Sequence, residues 1–494
     1  MSKSAKVIEM WPCDGLHGRR KIYTNKREIT AANVVEVLSE CLAKHAVNRN
    51  EIQYLYDYAK GKQDIRRRTK QVRPEINNKV TVNHANEIVT FKSAYLLGEP
   101  IQYVSIGDDD SVSKSVNTLN EYMRYESKEA RDKEIADWIH ICGVGERMVL
   151  PDERGLEEGS PVTIYTLDPR DAFVIYWSGL GNKPLAGVYR QRDEDGNWYS
   201  CVYTDTEYFE VDSDRVIKHE SHLLEQIPII EYVSDDSRMG AFENVIPLLN
   251  AINTVVSNRV DDIEQYVQSL LVFENCDIDS EQFADLRKEG GLKIKGDAQN
   301  PAKVYRVGEE LSQGGTQTAI DDLYQKVLTI CGMPNRNGGS STSDTGTAVI
   351  YRDGFAEAES RAKNTEKSWL RSETAFLKLV LRICRDTEGA DLNLDIHRVR
   401  PEFTRKNFSN IQSKAQVLAE LLNNGKVHPK YAYITSGLFP DAEEAYRAGM
   451  QWYNEQQAEM EKTLEEAMKR ERNERVQSSG PSDSTSEEES NSEI

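Results

Sequence analysis

The sequence predicts an α+β chain that is predominantly helical and extended rather than one globule. Three observations predict it. Apolar residues recur three or four apart through several long segments, the mark of one-sided helices. Between Pro161 and Tyr232 the pattern changes to short β-rich runs separated by turn residues. Residues 348–385 then carry one unbroken helical seam, which at 1.5 Å per residue would be roughly 55 Å long. The length of 494 residues allows about two to four folding units.

Residues 31–60 read as a helix, with Val34, Val37, Leu38, Cys41 and Leu42 on one face, continued by Ile52, Leu55 and Tyr56. The basic run from Lys60 to Arg73 contains Arg66-Arg67-Arg68. A solvated surface or a subunit salt-bridge face is favoured over a phosphate contact, because no base-stacking aromatics are interleaved in it. A second helix spans Val82–Leu97 and stops at Gly98 with Pro100 beyond. Ile101–Ile106 reads as a strand. Asp108-Asp109-Asp110 reads as a turn, lacking the alternating spacing of a calcium loop. Residues 111–142 are again helical.

The β-rich runs are 162–167, 172–176, 185–192, 198–203, 207–211, 215–220 and 228–232. Asp168-Pro169, Gly181-Asn182 and Asp195-Gly196 punctuate a mostly antiparallel region. His219 and His222 lie in or beside a strand and read as a surface pair, not metal ligands. A long helix follows from Phe242 to Phe273, with Pro247 near its start, where a missing N–H is best tolerated. Residues 277–310 break the period with a short helix near Glu281–Lys288 and strands at Leu292–Lys295 and Lys303–Val307. A helix from about Gln317 to Cys331 leads to a loop, 332–347, of Gly, Ser, Thr, Asn and Asp with one cation, Arg336. In the helix from Ala348 to about Arg385, Phe355, Ala358, Ala362, Thr365, Trp369, Ser372, Phe376, Leu379 and Ile383 form the seam. Helices return at Ser409–Asn423 and from Asp441 to about Arg475, the latter charged and exposed. The acidic tail 477–494 lacks Lys and Arg and has a disordered composition.

Net charge is −20 and unevenly placed. Arg19–Arg73 holds fourteen Lys/Arg against six Asp/Glu, and Asp441–Ile494 six against fifteen. Such a balance excludes a protein that grips nucleic acid over its whole surface, since grip comes from cations neutralising phosphates. Seven dispersed cysteines without a Cys-x-x-Cys pair read as reduced thiols, several of them core filler. No apolar run approaches a membrane span, and Met1–Met10 has no signal-peptide block. The chain is expected to stay in a cytosol, with no membrane contact.

Catalytic patterns are missing. No phosphate-binding loop, H-E-x-x-H, EF-hand loop, nucleophile elbow or dinucleotide fingerprint occurs. The pairs Asp235-Asp236, Asp261-Asp262 and Asp321-Asp322 could be imagined as two-metal ligands, but adjacent helical residues point about 100° apart. Solvent or subunit contact is the better reading. No enzyme activity, metal or cofactor is expected.

Three strings, in order, carry a resemblance. They are Asn78-Lys79-Val80-Thr81-Val82-Asn83-His84-Ala85 running to Tyr95-Leu96-Leu97-Gly98-Glu99-Pro100, Ser257-Asn258-Arg259-Val260-Asp261-Asp262-Ile263-Glu264-Gln265, and Cys331-Gly332-Met333-Pro334-Asn335. With the order of elements around them, the chain resembles the portal proteins of long-tailed bacteriophages over about residues 30–400. That resemblance implies a homo-oligomeric ring, of twelve subunits in the virion, at the capsid vertex, assembled in the host cytoplasm. Double-stranded DNA would be packaged and ejected through it. Terminase large subunit, head-completion (connector) protein, and major capsid and scaffold proteins would be its partners. Another structural head-morphogenesis protein, a capsid or scaffold component, is the alternative.

Carried over, the wing is 1–240, the stem helices 241–272 and 317–331, and the clip 273–316. The tunnel loop is 332–347, the long wing helix and return 348–400, the crown 401–475 and the tail 476–494. The loop residues expected to face DNA are Arg336, Asn337, Gly338, Gly339, Ser340, Ser341, Thr342, Ser343 and Asp344; Lys293, Lys295 and Lys303 are the basic candidates of clip and channel. Over 241–350 there are nine Lys/Arg against sixteen Asp/Glu, a lining that would repel phosphate and let DNA slide. The loop's glycines allow close approach and movement.

Overall fold

The computed structural model describes residues 18–107, 109–152, 159–267, 271–274, 301, 303–306, 313–335, 354–390, 392, 394–404, 411–439 and 441–478. The chain divides into two compact units, Met1–Lys406 and Asn407–Ile494.

The first unit opens with β1 (Ile22–Thr24), α1 (Val34–Ala59), α2 (His84–Leu96) and β2 (Gln102–Ser105). Two helices follow, α3 (Asp110–Tyr125) and α4 (Lys128–Cys142), where the sequence pattern predicted one. The break is Ser127, whose φ of 52° lies in the left-handed region and cannot continue a helix. Asp109 caps α3 by accepting from the Ser111 N–H, so this member of the acidic triplet ends a turn as expected.

The strands are β3 (Val144–Pro151), β4 (Val162–Leu167), β5 (Ala172–Trp177), β6 (Pro184–Arg192), β7 (Trp198–Tyr203), β8 (Glu207–Asp212), β9 (Arg215–Ser221) and β10 (Ile229–Val233). They form a six-stranded sheet ordered β1-β5-β6-β7-β8-β9 and a three-stranded sheet ordered β10-β3-β4. All pairs are antiparallel except β1 with β5, where Ile22 pairs Ile175 in parallel. Neither β1 nor β3 is foreseen from the sequence.

Then come α5 (Ile246–Val267), β11 (Leu271–Glu274), β12 (Lys303–Arg306), α6 (Gln313–Cys331), α7 (Phe355–Asp386) and β13 (Val399–Glu402). The helix expected to reach Phe273 stops at Val267; 271–274 is a strand paired antiparallel to β12. Strand β13, also unforeseen, closes on β2. The second unit holds α8 (Ile411–Asn423), α9 (Pro429–Ser436) and α10 (Ala442–Ser478). The first turns of α10 are half-buried, and from Met450 onward its described side chains are exposed, Trp452 and Met460 included.

Helix α1 spans two cores. Its first half packs Val34, Val37, Leu38 and Cys41 on Phe173, Ile175, Val188, Val202 and Phe209 of the large sheet. Its second half packs Ile52, Leu55 and Tyr58 against α2, α5 and α6. Each such buried side chain contributes roughly 1.5–3 kcal/mol by leaving water. A third core joins α3, α4, the small sheet and α7 around Trp369 and Phe376. The described cysteines, Cys41, Cys142, Cys201, Cys331 and Cys384, are free and buried.

Inside the third core sits a closed charge cluster. Lys128 Nζ lies 2.7 Å from both Asp132 Oδ2 and Glu373 Oε1. Arg147 pairs with Asp132 and approaches Glu373 Oε2 at 3.6 Å. The Tyr103 and Tyr232 hydroxyls donate to Glu373 at 2.5 and 2.9 Å, and Trp369 Nε1 donates at 3.2 Å. Two cations and two carboxylates are therefore neutralised by one another. Burial raises the Glu373 carboxyl, but Lys128 and Arg147 outweigh it and bring it down to about 2.

Candidate functional site

Helix α5 has two working sides. Leu249, Ile252 and Val256 pack toward α6, meeting Ile320, Leu323, Val327, Leu328 and Cys331. Arg259 extends that contact by donating to Gln317 at 2.7 Å. On another side Asn253, Ser257 and Asp261 recur every fourth residue, one above the other. An extended segment, 78–82, lies along them. The Val82, Val80 and Asn78 N–H groups donate to Asn253 Oδ1 (2.8 Å), Ser257 Oγ (3.0 Å) and Asp261 Oδ1 (2.7 Å).

The match has a metric cause. Two residues of extended chain advance about 6.6 Å and four of α-helix about 6.0 Å, so alternate amides meet every fourth side chain. A segment without a sheet partner thus satisfies its backbone donors on a helix.

Both ends are fastened. At one end Asn253 Nδ2 donates to Gln63 Oε1 at 2.5 Å, Gln63 Nε2 to Asn83 Oδ1 at 3.0 Å, and Asn250 Nδ2 to Asp64 Oδ2 at 3.0 Å. At the other, Arg68 and Lys70 each lie 3.0 Å from Asp261 Oδ2, while Asn78 Nδ2 donates to Asp261 and to Glu264. Burial raises the Asp261 carboxyl, but the Asn78 N–H, Lys70 and Arg68 outweigh it and hold it below the usual range. The reading of Asp261 as a solvent or subunit contact is corrected: it is 1% exposed and anchors the segment.

The other acids are dispersed. Asp262 is exposed; Asp321 accepts from Gln317 and Asp322 pairs with Lys326 at 2.6 Å. Asp235 caps the turn at Ser237, and Asp236 lies 3.9 Å from Arg371. His219 is exposed, stacks on Phe209 and lies 3.4 Å from Glu207; His222 accepts from the Leu224 N–H. Among the described residues no group of three His, Cys, Asp or Glu could hold a metal, and no helix is long and apolar enough to cross a membrane.

Helix α6 ends on Gly332, with φ 63° and its N–H donating to Thr329 O; the Met333 N–H donates to Leu328 O at 2.9 Å. Arg361 of α7 donates to Ile330 O at 2.6 Å and fills the space a Cβ at Gly332 would need. Gly354, just before α7, sits so close to Pro334 that an added Cβ would lie 3.5 Å from its Cα. Chain leaving α6 and chain entering α7 therefore run close together.

Of the residues expected to face DNA, Arg336, Asn337, Gly338, Gly339, Ser340, Ser341, Thr342, Ser343 and Asp344 lie outside the described residues, as do Lys293 and Lys295. Lys303 opens β12, exposed and in register with Glu274. Two strings that carried the resemblance, 78–85 and 257–265, prove to be halves of one hydrogen-bonded device, and Cys331 of the third shares the adjoining core. The fourfold spacing of polar residues on α5 was the available signal, but nothing in the sequence names their partner.

No curated protein sequence matches the chain. Among solved structures it is similar to a chain in the neck of an empty gene transfer agent particle, at 12% identity over 72% of this chain and 90% of that one, TM-score 0.44. A chain in the virion of the native particle is similar at 11% identity over 72% and 89%, TM-score 0.41. Residues 38–470 match a sequence family described as phage portal protein, SPP1 Gp6-like, and the chain belongs to that family.

Proposed function

We propose that copies of this portal protein close into a ring, of about twelve subunits, around the path by which double-stranded DNA enters and leaves the capsid. The observation that carries this reading is the family match across residues 38–470. The α5–α6 pair supports it: a helix held along its length by a strap can keep its shape beside moving DNA without a globular core on every side. Residues 241–272 and 317–331 act as stem and 273–316 as clip. Residues 332–347 act as the loop facing DNA, with 1–240 as wing and 401–475 as crown. Terminase large subunit and the head-completion protein dock on the clip, and capsid and scaffold proteins meet the outer body. The motor's ATP hydrolysis belongs to the terminase.

Negative-stain electron microscopy of the purified full chain tests it. Closed rings with a central hole are expected. Shells or rods would assign the chain to another head-building role, and a compact monomer at micromolar concentration, in infected cells as well, would overturn the reading.

A further inference from the structure

Where the large sheet runs out from under α1, its chemistry changes. Along β6 the residues facing α1 are Ala186 and Val188, both buried in the α1 core, and then Arg190 and Arg192. Trp198 stands directly across from Arg192 in the antiparallel register, so its indole lies on that same face. The guanidinium of Arg192 lies 4.6 Å from the ring centroid, that of Arg190 4.9 Å, and that of Arg49, from α1, 5.9 Å. Three arginines thus surround one ring.

Their countercharge is thin. Asp171 lies 3.3 Å from Arg49. Asp193, next in the chain to Arg192, is occupied by the hairpin turn, accepting from the N–H and the Nδ2 of Asn197. Among the described residues Arg190 and Arg192 make no ion pair and no side-chain hydrogen bond, and Arg190 Nε is buried without a partner. Burial and then Arg49 pull the Arg190 guanidinium below its ordinary value, with Asp171 opposing. Guanidinium groups stacked on an indole keep their N–H edges free for fork-shaped contacts.

We propose that Arg49, Arg190, Arg192 and Trp198 form a binding site for the phosphodiester backbone of nucleic acid. A phosphate offers several acceptor oxygens out of one plane to forks arriving from different elements, more than a single carboxylate presents. The indole is already covered by guanidinium groups, so bases have no platform to stack on and the contact is independent of sequence. That the nucleic acid is duplex DNA rests on the portal reading above.

The test uses the full-length protein and a short fluorescent DNA duplex, followed by anisotropy at several salt concentrations. Arg190→Ala with Arg192→Ala should weaken binding tenfold or more. It should also lower the slope of log affinity against log salt by about 2, roughly 0.9 for each phosphate that is no longer neutralised. Arg190→Lys with Arg192→Lys, which keeps the charge, should restore the slope. Unchanged affinity and slope in an alanine variant with wild-type circular dichroism would overturn the site. So would displacement of the duplex by inorganic phosphate or polyglutamate at equal charge concentration, which would assign the cluster to a free anion or an acidic protein. The same samples viewed by negative stain separate the two readings. Rings without affinity sink the patch alone, and affinity that disappears with the arginines in a chain that never forms rings sinks the ring alone.

Discussion

Two polar constructions hold this protein together, and they are built on opposite plans. The Lys128–Asp132–Arg147–Glu373 cluster is a knot: four charges from α4, β3 and α7, wrapped by tyrosines and a tryptophan. The strap on α5 is a seam of separate rungs, Asn253, Ser257 and Asp261 each holding one backbone amide of 78–82, with side-chain fastenings added at the two ends. In the knot every group has several partners, so removing one strands the others in a dry place. In the seam a broken rung leaves its neighbours intact. The knot should fail all at once and globally, the seam rung by rung and locally.

The strongest way to break that comparison is Glu373→Ala. It leaves Lys128 and Arg147 undercompensated inside the core and should cost about 3–5 kcal/mol in chemical denaturation. Acid titration sharpens the same point. Because Glu373 lies at about 2 when folded, below its ordinary value of 4.5, its contribution is complete above about pH 4.5 and is lost as pH falls toward 2. Wild type should therefore lose part of its advantage over the variant in that window.

A smaller effect is expected from Asp261→Asn, on the order of 1–3 kcal/mol for a charged hydrogen-bonding partner. Its signature is location. Hydrogen exchange should accelerate at the amides of 78–82 while strands β5–β7 keep their protection. Equal loss of protection in both places would make the seam part of the global core.

Smallest, and opposite in sign, is Glu146→Gln. Glu146 pairs across β3–β10 with Glu231, and its Oε2 is buried without a partner. Burial and Glu231 push its carboxyl well above 4.5, against the pull of Arg238. The folded state therefore prefers the protonated form, and stability is lost as pH rises from about 4.5. The variant should match wild type below that pH and exceed it at neutrality by on the order of 1 kcal/mol. A gap independent of pH would exclude this cause.

Legibility in the sequence followed the same divide between local pattern and distant partner. Strands 162–167 and 198–203 and the body of α1 were readable because alternation and helical period are local. Strand β3 was not: Glu146 and Arg147 give it a polar look, and only their burial against partners far along the chain makes it a central strand. Strand β1 escaped because three residues pairing in parallel with β5 leave no period. The polar rungs of α5 were visible as residue types, but the segment they hold is some 180 positions away. Trp198 and the three arginines around it come from β7, α1 and β6, so no window of sequence contains them.

The closeness of Pro334 and Gly354 has a consequence for how the chain can vary. The chain leaving α6 and the chain entering α7 are held close together there, whatever number of residues joins them. Adding or deleting residues between positions 335 and 354 should therefore cost little, because the free energy of closing a loop between fixed ends varies only slowly with its length. Changes of length between α6 and α7 can thus accumulate without altering how the two helix ends meet.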